Sequence, residues 1–187
     1  MLAVDISIDG CLVAYGDYLG RLRLSATVVV ENEMYPLVGH TDRIRAIQFN
    51  PDASKIASCA NDRTIRIWDV ASRSEVMLLE GQGHSTCVSS LSYSPDGTRL
   101  ASGSYDHAVR VWDMQSGVGL YVLLGHTNVV YSVSFSNDGR KIVSGSSDRH
   151  IVIWDSRTGC EIMKLSGHES GVFGVCCLPI LLDYVLK

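Results

Sequence analysis

Two dipeptides, repeated in constant phase, restrict what this chain can fold into more than any other feature. Gly-His occurs at Gly39-His40, Gly83-His84, Gly125-His126 and Gly167-His168, at intervals of 44, 42 and 42 residues. Trp-Asp follows at Trp68-Asp69, Trp112-Asp113 and Trp154-Asp155, each tryptophan 28 residues after its histidine. Between the two marks stands an aspartate at a fixed offset of 22: Asp62, Asp106 and Asp148. A period of this length means one supersecondary unit stacked on copies of itself, because so short a unit cannot bury its apolar face alone.

The segments between the marks read as short strands. Ile65-Arg66-Ile67-Trp68, Val109-Arg110-Val111-Trp112 and Ile151-Val152-Ile153-Trp154 are β-branched runs, most with period-two alternation. A second set begins at Lys55, Arg99 and Lys141, each preceded by a turn: Pro51-Asp52, Pro95-Asp96-Gly97 and Asn137-Asp138-Gly139. Proline presets φ and glycine accepts positive φ, so these pairs favour tight reversals. A third set, such as Val88 to Tyr93, follows each Gly-His, and a fourth, such as Tyr121 to Leu124, precedes it. Four strands fall in each period of about 42 residues, and no helical periodicity appears.

A period of this length, four strands, an opening Gly-His and a closing Trp-Asp together resemble the blade of the WD40 β-propeller family. The resemblance implies an all-β propeller of four-stranded antiparallel blades, about four of them, as an incomplete ring. The chain is then one propeller region: a degenerate blade over 3–38, good repeats over 39–82, 83–124 and 125–166, and a truncated repeat with a divergent tail over 167–187. In the degenerate blade, Asp9-Gly10 aligns without a gap on Asp96-Gly97. Tyr15, Leu19 and Ser25 then stand where the third blade has Ser102, Asp106 and Trp112. Three accounts of the missing blades stay open: a piece of a longer protein, a small ring closed by the last strand on the worn blade, or two copies in a larger ring.

The resemblance also assigns the recurring polar groups. His40, Ser58, Asp62 and Trp68 form one implied hydrogen-bonded tetrad; His84, Ser102, Asp106 and Trp112 a second; His126, Ser144, Asp148 and Trp154 a third. The chemistry suits this, because indole donates, hydroxyl accepts and donates onward, and neutral imidazole passes the chain to carboxylate. A Ser-His-Asp hydrolase is the competing reading. Threefold recurrence and the lack of a Gly-x-Ser-x-Gly elbow oppose it. Histidines on successive blades are too dispersed for one metal ion, and no phosphate-cradling Gly-x-x-x-x-Gly-Lys loop occurs. No catalytic residue, cofactor or metal ligand is therefore assigned. His107 and His150 are expected to be solvated loop residues.

Partner contacts in the resembled family use three places per blade on the top face: three and five residues after the Gly-His histidine, and immediately before the turn aspartate. Carried over, these are Arg43, Arg45 and Asn61; Cys87, Ser89 and Tyr105; Val129, Tyr131 and Ser147; then Gly171 and Phe173. Arginine can clamp a carboxylate and tyrosine can anchor an interface, so a peptide with an acidic end and an apolar side chain is the expected ligand. The implied role is a non-catalytic scaffold holding proteins or peptides within a multiprotein complex. Trp154-Asp155-Ser156-Arg157 also matches the WDxR pattern of family members that act as substrate receptors of cullin-type ubiquitin ligases. The other repeats read Trp-Asp-Val-Ala and Trp-Asp-Met-Gln.

Composition narrows the partners. The formal charge of -4 argues against phosphate-backbone binding and hence against nucleic acid. No run of about 20 apolar residues offers a membrane span, and the first five residues show no basic leader region. Six cysteines (Cys11, Cys59, Cys87, Cys160, Cys176 and Cys177) include no CxxC pair. They read as small buried thiols of an intracellular protein, and no small-molecule substrate is expected.

Overall fold

A computed structural model describes residues 3–27, 35–79 and 83–177. Its described residues form four antiparallel sheets of four strands each. The first holds β1 (Ala3–Ile6), β2 (Leu12–Gly16), β3 (Leu22–Ala26) and β4 (Tyr35–Leu37). The second holds β5 (Ile44–Phe49), β6 (Lys55–Ala60), β7 (Ile65–Asp69) and β8 (Ser74–Leu79). The third holds β9 (Val88–Tyr93), β10 (Arg99–Ser104), β11 (Val109–Asp113) and β12 (Gly119–Leu123), and the fourth β13 (Val130–Phe135), β14 (Lys141–Ser146), β15 (Ile151–Asp155) and β16 (Glu161–Leu165). Strand order follows chain order in every sheet, so each is a meander.

The worn first sheet keeps the register of the others. Ala14 faces Leu24 across β2 and β3 as Ala101 faces Val111 across β10 and β11. Leu22 and Leu24 are buried, as Val109 and Val111 are. Strand identity survives there because it depends on alternating apolar residues, not on the tryptophan.

The turns use positive φ in a repeated place. The residue after the turn aspartate has φ of 72° at Arg63, 69° at His107 and 72° at Arg149, and the first sheet has Gly20 there at 79°. A side chain in this left-handed region costs about 1–2 kcal/mol. Glycine removes that cost while adding some freedom to the unfolded chain. Arg63→Gly and Arg149→Gly are each expected to stabilise the protein by about 0.5–1 kcal/mol, read as a raised urea midpoint with an unchanged slope.

The first strands of successive sheets lie side by side and are stitched by one recurring bond. A side chain on one strand accepts from a backbone amide on the next. Asp5 Oδ2 takes the Phe49 N–H at 2.7 Å, and Gln48 Oε1 takes the Tyr93 N–H at 2.7 Å. Ser92 Oγ takes the Phe135 N–H at 2.9 Å. The pattern continues past the fourth sheet, where Ser132 Oγ takes the Val175 N–H at 3.1 Å and Ser134 Oγ the Cys177 N–H at 3.4 Å. Residues 171–177 thus lie along β13, where a further blade would begin. They do not complete the first sheet, which already has β4 as its fourth strand; this sets aside closure on the worn blade.

Three apolar cores fill the three joints between sheets, with Trp68, Trp112 and Trp154 contributing one to each. The arrangement is open among the described residues. Leu79 and Leu123, on the last strands of the second and third sheets, are 2 % exposed, whereas the equivalent Leu165 is 41 % exposed. At the other end Val4 and Ile6 are exposed, while Leu91 and Tyr93 in the same places of the third sheet are buried. Full burial of such a side chain is worth about 1.5–3 kcal/mol. No helix among the described residues is long and apolar enough to cross a membrane.

The cysteines differ from the sequence expectation. Cys59 is buried, but Cys11, Cys160 and Cys176 are exposed, with Cys87 and Cys177 between. Cys59 lies on β6 and packs in the core between the second and third sheets, whereas Cys11 and Cys160 stand in loops at the rims. Burial pushes the Cys59 thiol far up.

Candidate functional site

Each of the second, third and fourth sheets carries a buried polar chain. Trp68 Nε1 donates to Ser58 Oγ at 2.8 Å, His40 Nε2 meets the same oxygen at 2.8 Å, and His40 Nδ1 meets Asp62 Oδ2 at 2.8 Å. The third sheet repeats this with Trp112, Ser102, His84 and Asp106 at 2.9, 2.8 and 3.0 Å. The fourth does so with Trp154, Ser144, His126 and Asp148 at 2.8, 2.7 and 2.9 Å. The carboxylate can only accept, so histidine Nδ1 carries the proton. Its bare Nε2 accepts from serine, and serine accepts from indole. All donors point one way, toward the aspartate.

The aspartate also ties down backbone. Asp62 Oδ2 accepts from the Thr41 amide at 3.0 Å, and Asp106 and Asp148 do the same for Ser85 and Thr127 at 3.0 and 2.9 Å. Burial opposes charge on all three carboxyls, but these amide bonds and the histidine bonds outweigh it and hold their pKa values well below the usual range. Burial lowers the pKa of His84 and His126, only partly offset by Asp106 and Asp148, so the neutral ring is favoured. Ser58, Ser102 and Ser144 are 0 % exposed. A nucleophilic oxygen must reach substrate, and these three are enclosed by indole and imidazole.

The first sheet joins its neighbour differently. Tyr15, Leu19 and Ser25 occupy the worn positions, and Asp17 instead accepts from the Leu19 amide at 2.8 Å and from Arg21 Nε at 2.6 Å. A Cβ at Gly20 would stand 2.7 Å from the His40 carbonyl oxygen, so glycine is needed where this loop meets the second sheet. His168 of the truncated repeat is exposed. His107 is exposed, but His150 is half-buried, its Nδ1 lying 3.5 Å from Asp148 Oδ1 in the tetrad loop; full solvation was the wrong expectation for it.

The Gly-His rim is where the partner-binding candidates gather. Backbone bonds from the Asn61 amide to the Arg43 carbonyl, Tyr105 to Cys87 and Ser147 to Val129, at 2.9, 3.0 and 2.9 Å, put two candidates of each blade side by side. Arg45 Nε donates to Asn61 Oδ1 at 2.7 Å, and the Cys87 thiol donates to the same oxygen at 2.9 Å. The Arg45 guanidinium lies 5.5 Å above the Tyr105 ring. Tyr105 meets Tyr131 edge-on at 5.9 Å, and Tyr131 lies 4.9 Å from Phe173. The result is one row, Arg45–Tyr105–Tyr131–Phe173, crossing four successive repeats. Phe173 is 69 % exposed at its end.

The remaining candidates are half-buried or committed elsewhere, with Gly171 beside Phe173 at the end of the row. Ser89 Oγ is committed to the Gly103 carbonyl at 2.9 Å and to that of Val130, so it serves the joint between sheets. Val129, Ser147 and Gly171 are half-buried; a Cβ on Gly171 would stand 3.1 Å from the Ser147 Cα. Arg157 of the WDxR match is exposed at the opposite rim, while Ser156 within it is buried and donates to the Gly139 carbonyl at 2.6 Å. Sequence reasoning missed Arg99 and Tyr121, which bridge the third and fourth sheets at that rim. The available signal was an arginine standing where the other repeats have Lys55 and Lys141.

Comparison with known proteins bears on the repeats. The model of the family described as WD domain, G-beta repeat matches residues 31–69, 75–113 and 117–155, more than half of the chain. An uncharacterised WD repeat-containing protein of Synechocystis is 48% identical over 44 residues, 23% of this chain and 13% of its own. The general transcriptional corepressor TUP1 of Saccharomyces cerevisiae is 50% identical over 38 residues, 20% of this chain and 5% of its own. The meiotic recombination protein rec14 of Schizosaccharomyces pombe is 31% identical over 75 residues, 40% of this chain and 24% of its own. The chain spans less than a quarter of the length of each of these relatives.

Proposed function

The chain belongs to the WD domain, G-beta repeat family, and from that premise we propose that it is a non-catalytic scaffold holding a protein segment across its Gly-His rim inside an intracellular complex. The row Arg45–Tyr105–Tyr131–Phe173 is the observation that carries this reading. Amphipathic rings and arginine supply most of the energy in protein interfaces, and here they form one strip on rigid sheets. The Nε of Arg45 is held by Asn61, which orients the terminal amino groups for a carboxylate. The ligand is a peptide with an acidic residue over the second sheet and an apolar side chain against the exposed edges of Tyr131 and Phe173.

Selection from a random displayed peptide library tests it. Peptides retained by the chain are expected to pair Asp or Glu with a large apolar residue. The Arg45→Glu, Tyr131→Ala variant should bind them at least about thirtyfold more weakly, the scale of one lost hot spot of about 2 kcal/mol. Equal retention by that variant, with its fold intact, would reject the site. The exposed Arg157, present at this place in the fourth repeat alone, favours a second and narrower reading, a ubiquitin-ligase substrate receptor. An Arg157→Ala variant that captures purified ligase adaptor as well as the parent chain would dismiss it.

A further inference from the structure

The three joints between sheets solve the same problem, at the rim away from Gly-His, in three ways. In the joint of the third and fourth sheets the Arg99 guanidinium fills the gap. Nη1 donates to the Ser156 carbonyl at 2.6 Å and Nη2 to the Gly139 carbonyl at 3.1 Å, with Cζ 5.5 Å from the centre of the Phe135 ring. Beside it the Tyr121 hydroxyl donates to the Arg157 carbonyl and closes the outer edge. In the joint of the first and second sheets, the equivalent places hold Leu12, Ala53 and Val70, apolar side chains that pack against the core; the cleft of about 270 Å³ beside Leu12 and Val70 has no aromatic ring and no carboxylate in its lining. In the joint of the second and third sheets they hold Lys55, Gly97 and Met114, with Tyr93 for Phe135 and Met77 for Tyr121.

This middle joint is not filled. A cleft of about 340 Å³ opens among Lys55, Met77, Tyr93, Gly97 and Met114, and the acidic residues Asp96 and Asp113 also line it. Tyr93 is 7 % exposed, and its buried hydroxyl has no hydrogen-bond partner among the described residues. The cleft therefore keeps the ring and the two backbone positions that hold a guanidinium next door, and it lacks the arginine.

We propose that this cleft receives the guanidinium group of an arginine side chain carried by a partner protein. A guanidinium offers five N–H donors in a planar fork and stacks on an aromatic face, which a lysine ammonium does not reproduce. Gly97 and Met114 line the cleft and occupy the repeat positions of Gly139 and Ser156, whose carbonyls accept from Arg99. Two carboxylates against the single ammonium of Lys55 leave the lining net negative. The guanidinium chemistry stands by itself; that a protein carries it rests on the scaffold reading above, although the cleft lies at the opposite rim from the row of rings.

Methyl NMR of the chain labelled at methionine tests this with blocked arginine (Nα-acetyl-arginine N-methylamide) as probe and its lysine counterpart as control at equal ionic strength. Arginine should shift the Met77 and Met114 methyl signals and leave Met163, on the outer strand of the fourth sheet, unmoved; lysine should shift none. Lys55→Arg supplies the missing group from within, as Arg99 does, and should weaken binding at least about tenfold, the scale of a lost charge-assisted hydrogen bond. Lys55→Ala removes the competing cation and should strengthen it. Equal shifts with lysine, no shift with arginine, or undiminished binding to Lys55→Arg would overturn the site. An Ala-Arg-Ala peptide should bind at least as well as blocked arginine; binding of free arginine without binding of the peptide would overturn the protein source. Loss of peptide retention at the Gly-His rim moves none of these signals, so the two readings fail separately.

Discussion

Replacing Trp112 with alanine is expected to lower the unfolding free energy by about 3–5 kcal/mol, measured by urea denaturation at neutral pH. The indole is buried in the core between the second and third sheets with Ile67, Leu79 and Leu100. Its loss leaves a cavity lined by side chains from two sheets, which cannot collapse without moving one sheet against the other. It also removes the donor to Ser102 Oγ at 2.9 Å. Domains of this kind are stable by about 5–15 kcal/mol in all, so this single change removes a large share. Ser102→Ala separates the two contributions. It deletes one oxygen, yet leaves the Trp112 N–H and His84 Nε2 without their partner in a fully enclosed place, at about 1–3 kcal/mol. A loss below 1 kcal/mol for Trp112→Ala, no larger than for an exposed substitution such as Val38→Ala, would show that the tetrads do not fasten the sheets.

Acid is expected to destabilise the protein in two stages. His84 and His126 have folded pKa values depressed by burial below their ordinary value of about 6.5. A depressed histidine contributes stability that is complete above that ordinary value. The contribution is lost as pH falls toward the folded pKa, because the unfolded chain takes up the protons first. Asp62, Asp106 and Asp148 are depressed as well, through hydrogen bonds that overcome burial. Their contribution is complete above about pH 4 and drains away below it. The urea midpoint should therefore hold from pH 8 to 7, begin to fall as pH drops below about 6.5, and fall more steeply below about 4. A midpoint that stays flat between pH 7 and 5 would mean that the imidazoles are not held neutral by the fold.

Much of this architecture is written locally. The β-branched runs, the turn residues and the constant spacing of histidine, aspartate and tryptophan place four strands per repeat. They do so even in the first sheet, where Tyr15, Leu19 and Ser25 have lost the marks. The rim candidates were placed one by one by carrying the resembled family's contact positions onto the repeat. Their connection was not readable there. That Arg45 lies over Tyr105, and that Tyr131 links Tyr105 to Phe173, depends on how side chains 26 to 60 residues apart lean across a joint.

The sequence by itself determined the repeat, the strands and the partners available within each sheet, since these follow from a periodicity of two and from hydrogen bonds that close inside one blade. Only the tertiary structure decided which thiols meet solvent, that residues 171–177 extend the arc instead of closing it, and that the middle joint holds a cleft. The physical reason is side-chain reach between sheets. Lys55 and Arg99 are equivalent cations in the repeat, yet the structure has a planar fork bridging two carbonyls at one joint and an open cleft at the next.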